Sequence, residues 1–508
     1  MTAIPSTWVS VSLCELGEWN GGGTPSKLVD EYWNGDIPWV SPKDMKQDII
    51  SDSADHITRQ AIEGSATKLI PPESILCVTR SGILAHTFPV AVSIVPVTVN
   101  QDLKALTPFA GIHARYLAWA MRARARDILQ TCSKDGTTVN SIESSRLYAY
   151  RVPVAPQREQ LRVVARIEEL FSELDSGIDS LRMAQRRLHI YREVLLKYAF
   201  EGKLTSQWRQ KNRVTVDSGE QLIASIKSER EAHYQAAVSS WSAAPHGNGG
   251  KPRMPKAFAP LGRQESDELP PLPDGWMWEK LGWMTCGVEY GTAAKSADTG
   301  RVPVLRMGNI QQGRFDWTDL VYTSDEEEIN KYSLKEGDVL FNRTNSPELV
   351  GKTAIYRGER PALFAGYLIR VNQIPAIVDS QYVNLFLNSY IARRHGNRVK
   401  TDGVNQSNIN GEKLSNYPFP YCGLAEQREI VKLLEQKMSL IDQLEDNIAL
   451  ELRKAEALRQ STLRKAFSGT LVAHDPNDEP ASALLERIKA ERVQIENTKS
   501  KAKRRAAA

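Results

Sequence analysis

Two long, highly charged stretches of the chain carry apolar side chains at steps of three and four residues. In the first stretch, from about 157 to 200, the stripe positions are Val164, Ile167, Phe171, Leu174, Ile178, Leu181, Leu188, Tyr191 and Leu195. In the second stretch they are Ile430, Leu433, Leu440, Leu444, Ile448, Leu452, Ala455, Leu458 and Thr462. This spacing predicts two long helices with one apolar stripe each. Gly202 and Gly469 stand where each helix would need a left-handed last residue.

The apolar stripes need a partner, because neither can remain in water. At about 1.5 Å per residue each helix spans roughly 65 Å, and the simplest arrangement packs the two helices antiparallel. That arrangement would relate two globular regions by a pseudo-two-fold axis; the alternative is that each stripe packs on its own globular region. The residues expected at this coiled-coil or partner interface are Phe171, Leu174, Ile178, Leu181, Leu440, Leu444, Ile448 and Leu458.

The remainder of the chain shows a mixed pattern of strands and helices. Short β-rich runs at 37–40, 74–78 and 89–92 are separated by Gly, Pro, Asp and Asn. A helix is predicted over 114–130, and its counterpart in the second half over 381–399. The predicted class is therefore α/β (α+β), with two mixed α/β domains joined by two long antiparallel coiled-coil helices.

The second half of the chain repeats the first. Gln157-Arg158-Glu159 recurs as Gln427-Arg428-Glu429, and Ala199-Phe200 recurs as Ala466-Phe467. In the globular regions, residues 37–40 align with 302–305, and residues 75–80 with 339–343, which places Arg80 opposite Arg343. The matches lie 262 to 270 residues apart, as expected of a duplicated domain followed by a helix. They make the first arm three residues longer than the second.

These patterns predict six consecutive regions. The first half contains a globular domain at 1–152, a long helix at 153–206, and a short helix with a Pro- and Gly-rich linker at 207–272. The second half contains a globular domain at 273–420, a long helix at 421–472, and a C-terminal helix with a basic tail at 473–508.

Composition and charge add little to this picture. The net charge of +4, from 65 Lys and Arg against 61 Asp and Glu, is too small to indicate nucleic acid by itself. Five scattered cysteines without a Cys-x-x-Cys pair argue against a disulfide framework and a zinc site, and favour a reducing cytoplasm. No apolar run is long enough to span a bilayer, so no membrane is expected.

No catalytic motif is recognisable. The segment from Ser346 to Thr353 resembles a phosphate-binding loop, but its first glycine is missing and a strand follows it. The sequence contains no His-Glu-x-x-His motif and no arrangement typical of a nucleophile or of a paired acid and base. We therefore expect a binding protein with no catalytic residues, no metal site and no cofactor of its own.

Polar loops after the predicted strands carry side chains that can bind base edges. In the first half the candidates are Thr24, Ser26, Ser41, Lys43, Asp44, Arg80, Ser81, Thr137, Thr138 and Asn140. In the second half they are Arg306, Asn309, Arg343, Thr344, Asn345, Asn405, Gln406 and Asn408. Arg pairs with guanine, and Asn or Gln with adenine, while Lys and Arg elsewhere contact phosphate. The framework is shared but the loop residues differ, as expected of two domains that bind different sequences.

The chain resembles the specificity subunit of a Type I restriction-modification system. The first half carries Gly22-Gly23-Thr24-Pro25-Ser26, followed by the run from Tyr32 to Ser41. The second half carries the runs from Leu305 to Ile310 and from Glu336 to Leu340. The Ala-Glu-Gln-Arg-Glu start of the second arm and the Phe-x-Gly-x-Leu ends of both arms complete the pattern, which covers nearly the whole chain.

This resemblance implies two target recognition domains, each binding one half of a bipartite, asymmetric site on double-stranded DNA through the major groove. The helices would act as the spacer between the half-sites and dock two methyltransferase (modification) subunits. Those subunits would supply S-adenosylmethionine and adenine methylation, and restriction subunits would supply ATP- and Mg-dependent translocation and cleavage. The chain itself would be a non-catalytic component of bacterial defence in the cytoplasm.

Two alternatives belong to other functional classes. A coiled-coil adaptor whose globular domains bind protein would not bind duplex DNA, and its partner binding would be insensitive to salt. DNA binding, by contrast, weakens steeply with salt. A fused restriction-modification enzyme would methylate DNA as an isolated chain, but the catalytic motifs that it requires are missing from the sequence.

The first apolar stripe can be tested by mutation. Replacing Leu174 and Leu181 with Asp should abolish helix pairing or assembly with the methyltransferase, because it places charges on the stripe. Co-purification of the variant with the modification subunit measures this effect. Normal assembly would contradict the predicted role of the helices.

Overall fold

The computed structural model describes residues 4–134, 139–212, 219–243, 252, 254–491 and 493. The chain divides into two compact units. Unit 1 comprises residues 1–182 and 449–508, and unit 2 comprises residues 183–448. The basic tail and parts of the 207–272 region lie outside the described residues.

Up to the end of the first arm, the described residues form ten strands and five α-helices. The strands are β1 (Val9–Ser12), β2 (Gly17–Gly21), β3 (Trp33–Val40), β4 (Ile49–Ile50), β5 (His56–Ile57), β6 (Ser74–Val78), β7 (Val90–Ser93), β8 (Thr98–Val99), β9 (Leu103–Pro108) and β10 (Arg151–Val154). The helices are α1 (Arg59–Glu63), α2 (Ala114–Ala123), α3 (Ala125–Cys132), α4 (Ser144–Ala149) and α5 (Gln157–Phe200).

In the described part of the remaining chain, helices α6 to α8 precede a second set of strands and helices that follows a similar order with additional short strands. The helices are α6 (Ser206–Lys211), α7 (Gly219–Ala243), α8 (Arg263–Asp267), α9 (Glu326–Tyr332), α10 (Ser380–Leu387), α11 (Tyr390–Val399), α12 (Gly411–Ser415) and α13 (Leu424–Phe467). The strands are β11 (Met277–Lys280), β12 (Thr285–Tyr290), β13 (Val302–Leu305), β14 (Ile310–Gln311), β15 (Arg314–Phe315), β16 (Val321–Thr323), β17 (Val339–Asn342), β18 (Thr344–Asn345), β19 (Thr353–Ile355), β20 (Leu363–Phe364), β21 (Leu368–Gln373), β22 (Thr401–Asp402), β23 (Ser407–Asn408) and β24 (Pro418–Tyr421). Residues 481–491 are also helical.

Both units contain an equivalent main sheet, antiparallel through β2-β9-β6-β7 and through β12-β21-β17-β19, which confirms the predicted class and the duplication. In unit 1 the strand order is β2-β9-β6-β7-β4, and in unit 2 it is β12-β21-β17-β19. A second sheet accompanies each, β5-β3-β8 in unit 1 and β16-β13-β20 in unit 2. In each unit the central strands are apolar on both faces, because helices and loops cover the sheet.

Unit 1 buries the beginning of one long helix and the end of the other in a single core. Val163 and Ile167 of α5 lie in this core, together with Ala466 and Phe467 of α13. The Phe467 ring packs edge-on against Tyr116 of α2, with 5.4 Å between the ring centroids. The helix at 481–491 adds further apolar side chains to the same core. The two long helices therefore run antiparallel within unit 1.

Unit 2 is built in the same way with the two helices exchanged. Phe200 at the end of α5 lies in a core with Ile430 and Leu434 from the first turns of α13. Its ring contacts Tyr382 and Phe386 of α10, at centroid distances of 5.2 and 5.3 Å. The long helices are thus also antiparallel within unit 2.

The duplication extends to an ion pair between the long helices. In unit 1 Arg459 of α13 pairs with Asp175 of α5, and in unit 2 Arg192 of α5 pairs with Asp442 of α13 at 2.6 Å. Each arginine, like each aspartate, is separated from its counterpart by 267 residues. The two arms therefore present the same residues to each other at equivalent positions.

The predicted helix from 157 to 200 is confirmed, but the predicted difference in arm length is wrong. Both long helices have 44 residues. The buried Gln160 donates to the Ala155 carbonyl at 3.0 Å and accepts from the His113 amide, and Gln427 makes the equivalent bonds to Cys422 and Asp379. Glu159-Gln160 therefore corresponds to Glu426-Gln427, and the Gln-Arg-Glu match is three residues out of register.

The stripe on the second arm also needs correction. Leu440, Leu444 and Leu458 are 60%, 50% and 54% exposed, so they are not buried between the helices. Leu458 lines an open groove together with Leu174 and Leu181 of α5. Between its first and last turns, the buried positions of α13 are Ile430, Leu434, Met438, Ile441, Ile448, Thr462 and Leu463. Leucines occupy two neighbouring faces of this helix, and an error of one residue rotates the predicted stripe by about 100°. On α5 Phe171 is buried, and Leu174, Ile178 and Leu181 are partly buried.

Two other predictions are modified. The helices predicted over 114–130 and 381–399 are each two helices, interrupted at Arg124 and at 388–389. The described part of the linker is held against unit 2: the Arg230 guanidinium donates to the Lys256 carbonyl, and Trp278 donates to the Pro270 carbonyl.

None of the described helices combines the length and apolar content that a bilayer crossing requires.

The burial of Phe467 predicts a large effect on stability. Phe467→Ala should lower the free energy of unfolding of unit 1 by about 3–5 kcal/mol, because it leaves a cavity in the core. Chemical denaturation followed by far-UV circular dichroism measures the change. Leu458→Ala on the same helix is the control, and should change stability by less than about 0.5 kcal/mol. Equal losses in both variants would contradict the assignment of buried positions.

Candidate nucleic-acid interface

In unit 1 the polar candidates meet where β6 ends. The segment after β6 lies between the loop at 100–102 and the segment at 140–142. The Thr79 amide donates to the Asp102 carbonyl at 2.8 Å, the Ser81 amide donates to the Asn140 carbonyl at 3.1 Å, and Arg80 forms a β-bridge with Ser141. The structure therefore brings Arg80, Ser81 and Asn140 to one edge, here called edge 1.

The side chains of edge 1 form a connected network. Arg80 Nε donates to Asp102 Oδ1 at 2.6 Å, and Asn100 Nδ2 donates to Asp102 Oδ2 at 3.1 Å. The Thr24 hydroxyl donates to Gln101 Oε1, so Thr24 joins the same surface. Asn100, Gln101 and Asp102 were missed in the sequence, although they follow the short strand β8 as a polar run of the kind that indicated the other candidates.

Unit 2 builds an equivalent surface, edge 2, from the equivalent segments of the chain. Thr344 and Asn345 of β18 pair with Asn408 and Ser407 of β23. Asn408 Nδ2 donates to the Thr344 hydroxyl at 2.7 Å. The adjacent turn exposes the side chains of Asn405 and Gln406 to solvent. Arg343, Thr344, Asn345, Asn405, Gln406 and Asn408 therefore come together as the sequence suggested.

Arg343 is held differently from Arg80. Its guanidinium carbon lies 4.8 Å from the centroid of the Tyr290 ring, and Nη1 lies 3.5 Å from the Gly366 carbonyl. The Tyr290 hydroxyl accepts a 2.8 Å hydrogen bond from the Gly411 amide, which fixes the ring. Tyr367, which is 54% exposed, lies on the same edge. Both tyrosines were missed, because neither belongs to a polar run of the kind that indicated the other candidates.

The strand register corrects the alignment of Arg80 with Arg343. Arg80 bridges to Ser141, and Thr344 pairs with Asn408; Ser141 and Asn408 are equivalent in the repeat. Likewise, the amide of Ile142 donates to the Thr79 carbonyl and that of Ile409 to the Arg343 carbonyl. Arg343 thus corresponds to Thr79, and Arg80 to Thr344. The two arginines occupy adjacent positions, whose side chains leave the strand in opposite directions.

Four of the candidates build a turn that follows β3 and β13. The amide and hydroxyl of Ser41 both donate to Asp44 Oδ2 at 2.9 Å. In unit 2 the Arg306 amide donates to Asn309 Oδ1, and Asn309 Nδ2 donates to the carbonyls of Asp316 and Asp319. Ser41 and Asn309 are 7% and 3% exposed. The structure therefore places Ser41 and Asn309 in the framework and not on the binding surface. The half-buried Asp44 is the partner of Ser41.

The remaining candidates are more peripheral or lie outside the described residues. Lys43 is exposed and pairs with Asp55 at 2.7 Å, and this hydrogen bond raises the pKa of Lys43. Ser26 is exposed and accepts a 3.3 Å hydrogen bond from the Leu28 amide. Arg306 pairs with Asp319 at 3.1 Å. Thr137 and Thr138 lie outside the described residues.

The described residues contain no cluster of three or more His, Cys, Asp or Glu that could hold a metal ion. Both edges instead present guanidinium, amide and hydroxyl groups, and edge 2 adds exposed tyrosine rings. These are the groups that hydrogen-bond to base edges and stack on bases.

Comparisons with known proteins agree with this geometry. The sequence matches the family model described as Type I restriction modification DNA specificity domain over residues 5–180 and 288–454. The EcoR124I/EcoR124II specificity subunit of Escherichia coli is 40% identical over 192 residues, which is 37% of this chain and 48% of that protein. The EcoKI specificity subunit of Escherichia coli strain K12 is 26% identical over 374 residues, 70% of this chain and 67% of that protein. The matched region thus spans about half the length of the first relative.

A solved structure shows the same fold. Its subject is complex assembly and conformational transition of the type I R-M system. The matched chain has a TM-score of 0.64 and 15% sequence identity, and the match covers 92% of this chain and 100% of that one. At this identity the likeness extends to the fold alone.

The buried turn of unit 2 yields a test of the assignment of Asn309. Asn309→Ala should lower the free energy of unfolding of unit 2 by about 1–3 kcal/mol, because it leaves the Arg306 amide and two carbonyls without their partner. Asn405→Ala changes an exposed asparagine of the same unit and should have little effect. Denaturant titration of both variants measures the difference. An Asn309→Ala variant as stable as the wild type would place Asn309 on the surface.

Proposed function

Since this chain belongs to the family of the Type I restriction modification DNA specificity domain, we propose that it is the specificity subunit of a Type I restriction-modification complex. It selects the double-stranded DNA sequence on which that complex acts. The observation that carries the proposal is the pair of edges: one backbone framework occurs twice and presents different polar side chains each time. Two such surfaces suit a bipartite, asymmetric site, with one half-site for each unit.

The chemistry of the edges supports direct contact with bases. Edge 1 offers the Arg80 guanidinium, and edge 2 offers Arg343 together with the amides of Asn405, Gln406 and Asn408. Arginine forms paired hydrogen bonds with guanine, and asparagine or glutamine with adenine, in the major groove. A carboxylate beside Arg80 and tyrosine rings beside Arg343 give the two edges different surroundings, so the half-sites differ in sequence.

The long helices are proposed to set the distance between the half-sites and to dock two methyltransferase subunits. Leu440, Leu444 and Leu458 support docking, because they are large apolar side chains exposed on a helix. Exposed apolar residues that line up on one element often belong to a protein interface. Of the two roles expected for these leucines, their exposure favours contact with a partner over pairing between the helices.

Catalysis is assigned to the partner subunits. The modification subunits would bind S-adenosylmethionine and methylate adenine, and the restriction subunits would use ATP and Mg²⁺ for translocation and cleavage. The present chain would contribute sequence selection and no catalytic residue.

Mapping of methylated bases in cells that co-express this chain with its cognate modification subunit tests the proposal. A new bipartite methyladenine motif is expected, and replacing residues 1–150 or 273–420 with the corresponding domain of a relative should change only one half of it. Purified complex should also bind the duplex less tightly as salt rises, because phosphate contacts release counterions. An assembled complex that neither methylates nor binds DNA would instead favour the coiled-coil adaptor.

A further inference from the structure

We propose that Asp102 is a positioning residue for base recognition by edge 1: it orients the Arg80 guanidinium toward one base pair of the half-site bound by unit 1. This inference rests on the proposed function and deepens it, since it names the residue pair that sets specificity at one position. The base pair expected there contains guanine, which presents two acceptors, O6 and N7, to the major groove.

The Asp102 carboxylate is fixed through both of its oxygens. Oδ1 accepts from Arg80 Nε at 2.6 Å, and Oδ2 accepts from Asn100 Nδ2 at 3.1 Å. The Asp102 amide in turn donates to Asn100 Oδ1 at 3.0 Å. Asn100 is 6% exposed, and its own amide donates to the Val40 carbonyl, so the network is anchored in the framework. The carboxylate therefore cannot rotate away without breaking several hydrogen bonds.

The hydrogen bond from Nε leaves the outer side of the Arg80 guanidinium available. The Arg80 side chain is 56% exposed, while that of Asp102 is 21% exposed. Within the described ranges, neither Nη1 nor Nη2 of Arg80 has a hydrogen-bond partner. These two groups form the planar fork that can donate to guanine O6 and N7 together. An arginine held in this orientation loses less side-chain entropy on binding than a free one.

In edge 2 a tyrosine takes the place of Asp102, so substitution of Asp102 should change base preference in one half-site only. The register equates Asp102 with Tyr367, because the Thr79 and Arg343 amides donate to the carbonyls of these residues. It also equates Gly21 with Tyr290, since each lies opposite an equivalent residue of the neighbouring strand. Where unit 1 uses a carboxylate, unit 2 supports its arginine by stacking on a ring.

Asp102 could instead serve only to shape its loop, and Asp102→Asn separates the two roles. The backbone carbonyl that accepts from Thr79 and Arg80 is unaffected by the substitution. The amide keeps an oxygen that can accept from Asn100. The substitution removes the negative charge that holds Arg80 Nε. If Asp102 only shapes its loop, Asp102→Asn should therefore change base preference little.

The test is a double-mutant cycle on the complex with its modification subunit. Wild type, Asp102→Asn, Arg80→Ala and the double variant are assayed for methylation rate on duplexes that carry every single base-pair change in both half-sites. Arg80→Ala is expected to lose discrimination at one base pair of one half-site. Asp102→Asn should reduce discrimination at that same base pair by about fivefold or more. The double variant should match Arg80→Ala, because Asp102 acts through Arg80.

Three outcomes would overturn the inference while leaving the proposed function intact. They are an unchanged preference in Asp102→Asn, a loss spread over both half-sites, or a double variant clearly worse than Arg80→Ala. If the wild-type complex discriminates at no position, the proposed function itself fails, and this inference fails with it. Asp48→Asn is the matched control, since it removes the carboxylate that pairs with Arg122 at 2.8 Å at the β4 end of the same sheet. It should leave base preference unchanged.

Discussion

Each unit depends on the burial of two helix ends that lie far apart in the sequence. Unit 1 closes its core with Ile167 near the start of one long helix and Phe467 at the end of the other. Unit 2 does the same with Ile430 and Phe200. Because an aromatic side chain removed from water contributes a few kcal/mol, neither core is complete until both helices are in place. This constraint explains why a globular domain and a helical arm are repeated together as one segment.

The same constraint fixes the surfaces that carry function. The buried Gln160 and Gln427 tie the first turn of each long helix to the loop before the neighbouring domain helix. The central strands β6 and β17 are buried on both faces. Arg80 and Arg343 lie just after the ends of these strands, at the two edges. The two edges share backbone hydrogen bonds, such as those donated by the amides of Ile142 and Ile409, while their loop side chains differ. Such a framework allows a change in binding specificity at little cost in stability.

Several sequence-based predictions failed for one geometric reason, a shift of one to three residues. On α13 the chosen leucines lie beside the buried stripe, because two adjacent faces of the helix both carry leucine. In the globular domains Arg80 and Arg343 look equivalent, but the pairing of the strands places them one residue apart. The Gln-Arg-Glu tripeptide matches in the wrong register, while the two buried glutamines define the right one. In each case the residue at the predicted position and the residue at the true position are of similar type, so the sequence could not distinguish them. Only the contacts in the structure show which residue occupies which position.

The sequence by itself determined the duplication, the mixed α/β class, the two long helices and most of the residues at the two edges. These features follow from local periodicity and from polar runs at strand ends, which require no knowledge of distant contacts. The tertiary structure alone decided which end of each helix completes which core, and that Ser41 and Asn309 belong to buried turns. It also decided that Asp102, Tyr290 and Tyr367 stand beside the arginines. The helix ends and the neighbours of the arginines depend on pairing between segments that are tens to hundreds of residues apart, and the pattern along one segment does not identify its partner. The two turns are local, but whether their side chains are buried depends on the packing around them.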